Sequence, residues 1–241
     1  IGPWIAPYHE ADILRFGGYT PPDAENLLGT DYLGRDVLSR IMWGARVTIG
    51  LSVLATILAC ILGIALGLLA AVRGGWTDVL LSRITDALLS IPNIMLGMLA
   101  VVALGSGMIT LLLVAAVIYA TGVFRVARSL ALDVCQLDFV VVARSRGEGS
   151  GYIIVQEILP NIAAPLATDF GIRLVYVILF ISSLSFLGLG VQPPAADWGS
   201  MVRENLSGLM RGSLSPMLPA IAIALVTISV NLVVDDVSAR T

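Results

Sequence analysis

Long apolar runs separated by short polar stretches make up most of the chain after residue 46. The first of these runs, residues 47–72, contains no charged residue. At about 1.5 Å per residue a helix of this length reaches about 39 Å, and a bilayer's hydrocarbon core is about 30 Å thick. Four further apolar segments follow, with turns or polar loops between them. The pattern therefore predicts five membrane spans, at residues 47–72, 79–105, 108–128, 162–191 and 216–235.

The first 46 residues have a different pattern. They contain prolines at positions 3, 7, 21 and 22, together with arginines and acidic residues, and no apolar run long enough to span a bilayer. Thr30 or Asp31 is suited to cap a short amphipathic helix that continues through "GRDVLSRIMWGAR". We therefore divide the chain into an extracytoplasmic segment with an amphipathic helix, residues 1–46, and a transmembrane domain, residues 47–236.

The composition agrees with an all-α integral membrane protein. Charged residues make up 13% of the chain, against about 25% in a typical soluble domain. The net charge of −3 is small, which argues against a nucleic acid partner. Cys60 and Cys135 have no partner at a useful spacing, and a single histidine cannot form a metal cluster. These features argue against a metal site and against an intramembrane hydrolase.

Arginines indicate how the spans are oriented. Arg125, Arg128, Arg144 and Arg146 lie near or within residues 133–160, and the positive-inside rule places such a loop in the cytoplasm. The segment 1–46 and the loop 192–214 then both lie outside. Five spans with an outside start predict one further span before residue 1.

Two charged residues fall inside the fourth predicted span. Asp169 and Arg173 are four positions apart and therefore share one helical face. Charges at this depth are costly, so they should face each other, the helix bundle or water. Two interpretations remain open: a polar patch on a translocation path, or an ion pair that only satisfies itself. Intramembrane carboxylates such as Asp86 and Asp169 would also suit an ion-coupled secondary transporter, which is a different class of protein.

The polar insert "VVARSRGEGSGYIIVQEILPNI", residues 141–162, interrupts the apolar pattern. Its glycines do not form a phosphate loop, because no strand precedes them and no G-K-[ST] follows. We predict a short helix over residues 140–146 that ends at Gly147, and a second helix that leads towards Pro160. From the residues alone, the insert is either a docking element or a plain solvated connection.

The spacing of this insert resembles the cytoplasmic loop of binding-protein-dependent ABC importer permeases, E-A-A-x-x-x-G with I-L-P downstream. Ala143, Gly147 and the sequence Ile158-Leu159-Pro160 occupy the matching positions. Three long segments extend the resemblance to the dipeptide/oligopeptide/nickel permease subfamily, and to the second permease of such systems in particular. They are "LLGTDYLGRDVLSRIMWGAR" (27–46), "SLSFLGLGVQPPAADWGSMV" (183–202) and "PAIAIALVTISVNLVVDDVSA" (219–239).

The resemblance implies the six-helix fold of a type I ABC importer transmembrane domain, here without its first helix. It implies a non-catalytic permease subunit that carries peptides across a bacterial plasma membrane, with nickel or another small solute as the alternative cargo. The implied partners are a homologous permease, two ATPase subunits or domains that bind ATP and Mg²⁺, an external substrate-binding protein and membrane lipid. No cofactor is expected in this chain. The residues implied to contact the ATPase are Val141, Ala143, Arg144, Arg146, Gly147, Leu159 and Pro160.

The chain departs from the subfamily pattern in two places. Val141 stands where the family usually has glutamate, which predicts a more apolar contact with the ATPase at that point. Asp169 and Arg173 stand where the subfamily generally has uncharged residues.

Overall fold

The computed structural model describes residues 5–14 and 17–240, with side chains as far as residue 236, and its regular elements are helices. Four helical segments are long and apolar enough to cross a membrane, or five if one bent pair counts as a span. The α-helices are α1 Val37–Arg73, α2 Gly75–Leu89, α3 Asn93–Leu104, α4 Met108–Val134, α5 Asp138–Ser145, α6 Ser150–Tyr152, α7 Leu159–Phe186, α8 Trp198–Glu204 and α9 Met217–Arg240; a π-helical turn, Ile153–Ile158, joins α6 to α7, and a 3₁₀ turn, Leu206–Arg211, follows α8.

Helix α1 begins ten residues before the predicted first span. Asp36 caps it, because its carboxylate accepts a hydrogen bond from the backbone N–H of Ser39 at 2.8 Å. No proline interrupts the chain from there to Arg73, so the helix continues without a break. The amphipathic helix predicted before the span is therefore the first part of α1.

Small residues bring α1 and α4 into close contact. A Cβ atom added to Gly63 would lie 2.7 Å from the backbone oxygen of Ala120, and one added to Gly67 would lie 2.8 Å from that of Phe124. The two glycines form the G-x-x-x-G spacing that allows helix backbones to approach in membranes. This pair of helices is the structural centre of the bundle.

The second predicted span, residues 79–105, is two helices rather than one. Helices α2 and α3 meet at an angle of 91°. Pro92 causes the break, because it cannot donate a backbone hydrogen bond and disfavours helical geometry in Ile91 before it. Helix α3 then packs on α7, where a Cβ on Gly97 would lie 2.5 Å from the ring of Phe180.

Helix α7 contacts the α1–α4 pair through two separate apolar clusters. One includes Val177, Ile181 and Leu184 on α7, and the other includes Ile162 and Leu166. The helix ends at Phe186, before the predicted limit of 191, and residues 187–191 turn away. Helix α9 packs against α7, so that a Cβ on Gly171 would overlap Val234 of α9.

Non-spanning segments gather at the two ends of α1. One end comprises residues 135–158 and is called the loop end. There Arg144 lies within hydrogen-bond distance of the backbone oxygen of Val72. The other end comprises residues 17–36 and 197–215 and is called the cap end. There the hydroxyl of Thr48 donates a hydrogen bond to the carboxylate of Asp197 at 2.9 Å. Because Thr48 and Val72 are about 36 Å apart along the helix axis, the two ends lie on opposite sides of an apolar bundle.

Candidate functional site

Helix α5, at the loop end, presents an apolar face to solvent. Val140 and Ala143 are buried and hold the helix against the bundle. Phe139, Val141 and Val142 are 40%, 52% and 53% exposed. Their positions on the outer side follow from the helical period, since burial recurs at positions three apart. Val141, the residue that departs from the family pattern, is thus part of an exposed apolar patch.

Gly147 ends α5 in a well-defined turn. Its φ is +84°, a left-handed conformation that favours glycine. The N–H of Gly147 donates to the oxygen of Arg144 at 2.9 Å, and that of Glu148 donates to the oxygen of Ala143 at 3.2 Å. These two bonds are the pattern of a Schellman motif. The turn therefore fixes the angle at which the chain leaves α5.

The two arginines of this loop have different surroundings. Arg144 turns back on its own subunit, with one Nη atom 3.4 Å from the oxygen of Val72 and 3.9 Å from Sγ of Cys135. Arg146 is exposed and forms no ion pair within the part of the chain that the structure describes. Burial raises the pKa of the Cys135 thiol, and the nearby Arg144 opposes that rise.

Leu159 and Pro160 mark the passage from the loop into α7. Leu159 donates its N–H to the oxygen of Ile154, five residues earlier, which is the spacing of a π-helix. Pro160 has no N–H to donate, so the ordinary α-helical bond is missing at this point. Turns of this kind are common at functional positions in helices. Ile153 and Ile158 are buried and attach this passage to the bundle.

Asp169 and Arg173 are in contact on α7. Nε of Arg173 donates to the two carboxylate oxygens of Asp169 at 3.2 and 3.3 Å. The side chains are 13% and 19% exposed, respectively. The guanidinium lies against α4 at Gly122, where a Cβ would be 2.2 Å from Nη1. The pair therefore occupies a contact between α7 and α4 midway along both helices.

A buried charge cluster at the cap end was not predicted from the sequence. Asp31 accepts from Nε of Arg35 at 2.7 Å and from Nη1 of Arg40 at 2.8 Å. Both arginines also lie 3.4 Å from Oε2 of Glu204 on α8. Burial raises the pKa of Glu204, and Arg35 opposes the rise. The sequence does mark these residues, because Asp31, Arg35 and Arg40 lie within the segment 27–46 and Glu204 lies two residues after the segment 183–202. Both segments carry the family resemblance.

Further hydrogen bonds complete the cap end. Oδ1 of Asn205 accepts from the N–H of Tyr32 at 3.1 Å, and the hydroxyl of Ser215 donates to the oxygen of Thr30 at 3.0 Å. Trp198 is buried beside Gly44 and donates its indole N–H to the oxygen of Ile41 at 2.9 Å. The segment before α1 and the segment after α7 therefore form one folded unit.

A second ion pair, which the sequence pattern does not predict, joins the start of α2 to α4. Nε and Nη2 of Arg128 donate to the two oxygens of Asp78 at 2.5 and 2.6 Å. This bidentate geometry is the strong form of such a contact. It fixes α2 beside the part of α4 that leads to the loop end.

The fold is that of ABC importer membrane subunits. A chain of the MetNI methionine ABC transporter in an inward-facing conformation superimposes with a TM-score of 0.68 at 16% identity, covering 84% of this chain and 96% of that chain. An amino acid ABC transporter determined with histidines gives a TM-score of 0.62 at 14% identity, covering 84% of this chain and 94% of that chain.

Proteins of similar sequence identify the family to which the chain belongs. The glutathione transport system permease protein GsiD of Pectobacterium atrosepticum is 34% identical over 95% of this chain and 74% of its own length. The di/tripeptide transport system permease protein DppC of Pseudomonas aeruginosa is 34% identical over 98% of this chain and 80% of its own length. Residues 63–238 match the family described as the inner membrane component of binding-protein-dependent transport systems. The chain belongs to this family and is a multi-pass protein of the bacterial plasma membrane.

Proposed function

We propose that this chain is the permease subunit of an ATP-driven importer of peptides. The observation that carries the proposal is the loop end, with its apolar α5 face and the Schellman turn at Gly147, on a fold shared with ABC importer membrane subunits. The relatives named above for glutathione and for di- and tripeptides support a peptide cargo. The permease provides half of the path, and a homologous permease provides the other half.

The loop end is the surface on which an ATPase subunit docks. Phe139, Val141 and Val142 supply an apolar contact at the centre, and exposed Arg146 supplies a charge at its edge. An exposed apolar patch surrounded by polar residues is typical of a protein interaction site. ATP and Mg²⁺ bind to the ATPase subunits, so the role of this chain is mechanical.

The connection from the loop to the bundle transmits the movement. Helix α5 packs on the bundle through the buried residues Val140 and Ala143, and the π-helical turn leads directly into α7. Movement of the docked ATPase therefore tilts α7 against the α1–α4 pair. The cap end, on the opposite side of the membrane, receives substrate from an external binding protein.

Gly147→Val tests this coupling. Valine at φ +84° is strained by about 1–3 kcal/mol, and no atom lies within 4 Å of the added Cβ, so the change acts on the turn alone. We expect ATP-driven peptide uptake in proteoliposomes to fall about tenfold or more. The variant should remain in the membrane with an unchanged subunit composition.

Gly149→Val is the matched control. Gly149 also has no atom within 4 Å of an added Cβ, but its φ is −75°, which valine adopts without strain. This variant should retain uptake near the wild-type rate. Equal uptake by the wild-type protein and both variants would disprove the role of the turn in coupling.

A further inference from the structure

The ion pair on α7 interrupts an otherwise apolar contact. Towards the loop end, the buried cluster finishes with Leu166 on α7 and Ala127 on α4. Towards the cap end, the next cluster begins with Val177 on α7 and Ala120 on α4. Asp169 and Arg173 lie in the interval between them, with Gly122 facing the guanidinium. Arg173 is about 21 Å from the start of α7 and about 20 Å from its end, so the polar layer is near the bilayer midplane.

Asp169 accepts hydrogen bonds from only one edge of the Arg173 guanidinium. A guanidinium has five N–H donors, and here Nε alone donates to the carboxylate. Neither Nη atom donates to another group among the described residues, although the side chain is mostly enclosed. An N–H without a partner is costly inside a membrane, so the Nη edge requires water or an anion.

The position of that edge allows a ligand to reach it. Nη1 lies over Gly122, which has no side chain to cover it. Gly122 and Val126 are partly exposed, and Arg125 beside them is exposed. The Nη edge of Arg173 therefore lies against α4 at a position that has no side chain and is itself partly exposed, while Asp169 holds the guanidinium at its Nε edge.

We infer that Arg173 is a subsite for the carboxylate of the transported peptide, positioned by Asp169. The two Nη atoms form a planar fork that binds a carboxylate in bidentate fashion. The negative charge of Asp169 weakens this contact, which suits a path that the substrate must leave. This inference rests on the proposed function, and it gives the cargo a required chemical group, a free C-terminal carboxylate.

The test compares trialanine with its C-terminal amide in the complete transporter. Wild-type protein and the variant Asp169→Asn/Arg173→Gln are reconstituted with the partner permease, both ATPases and the binding protein. ATP-driven uptake of each peptide is measured at saturating binding protein. The binding protein is the same in every arm, so its own preference cancels when the variant is divided by the wild type for each peptide.

We expect the double variant to transport trialanine about tenfold more slowly than wild type, the loss typical of one charge-assisted hydrogen bond. Uptake of the amide should be nearly the same in both proteins. The double substitution removes both charges of the pair, so neither is left uncompensated and the variant should assemble normally. Equal losses for trialanine and the amide would overturn the inference and make the pair a structural contact.

Gly122→Ala provides a second arm that keeps both charges. The added Cβ would displace Nη1, which lies 2.2 Å away, and should reduce the preference for trialanine over the amide. Gly50→Ala, where no atom lies within 4 Å of the Cβ, should leave the preference unchanged. An unchanged preference in Gly122→Ala also contradicts the subsite. If wild type transports neither peptide but does transport another solute, the proposed function itself is wrong.

Discussion

At the scale of single residues, the buried charges at the cap end are the most demanding feature of the molecule. Asp31 and Arg40 are both almost fully inaccessible, and Nε of Arg40 has no hydrogen-bond partner among the residues that the structure describes. Buried charges are tolerated only when each is paired, and removal of one partner leaves the others uncompensated. Two arginines facing two carboxylates meet this requirement, which makes the cluster sensitive to any single change.

Arg40→Met should therefore destabilise the protein. Methionine fills similar space but leaves Asp31 and Glu204 to share Arg35. We expect a loss of about 3 kcal/mol, seen as a fall of about 10 °C in the thermal unfolding midpoint in detergent. Arg46→Met, on the exposed side of the same helix, should shift the midpoint by no more than about 1 °C. Equal shifts in the two variants would show that the buried arginine contributes no more to stability than an exposed one.

Local spacing predicts some of these residues and not others. Asp169 and Arg173 are four apart, so helical geometry alone puts them on one face, and Gly147 follows a helical pattern in the position of a C-terminal glycine. Arg40 and Glu204 are 164 residues apart, and no periodicity relates them. Both residues lie in or beside segments that carry the family resemblance, but their pairing depends on how α8 packs over α1.

At the scale of elements, the apolar pattern predicts where helices lie better than where they bend or start. Polarity sets the predicted start at residue 47, whereas the backbone can continue a helix through polar residues once Asp36 caps it. The 91° break at Pro92 is invisible to hydropathy, because both halves are apolar. The pattern does not distinguish a kink in one span from two helices at right angles.

Gly63 tests the helix contact on which the bundle is built. A Cβ there would lie 2.6 Å from Cβ of Val123 and 2.7 Å from the backbone oxygen of Ala120, so Gly63→Val must move a backbone. We expect a cost of about 1–3 kcal/mol and a fall of about 5 °C in the unfolding midpoint. Gly50→Val on the same helix meets no atom within 4 Å and is the control. A midpoint for Gly63→Val that matches the control would contradict close packing of α1 and α4.

At the scale of the whole molecule, the described chain leaves large apolar faces uncovered. Buried side chains are few along α9, where 11% of the most apolar window is enclosed. Exposed apolar side chains of this size belong in lipid or against another subunit. They include Leu99, Val102, Leu104, Ile109, Leu225 and Leu232. Such a surface suits a membrane subunit whose outer faces contact lipid or neighbouring subunits.

Purification in mild detergent through a tag on this chain should recover a second permease and two ATPase subunits. The same material in proteoliposomes should take up peptide only when ATP is present on the side of the loop end, because the ATPase subunits are proposed to dock there. Uptake should persist when an ionophore dissipates the proton gradient, because ATP hydrolysis in the ATPase subunits is proposed to drive transport. Recovery of this chain alone, active in uptake driven by an ion gradient without ATP, would identify a secondary transporter. The ionophore separates the two classes directly, because it abolishes transport in one and leaves it intact in the other.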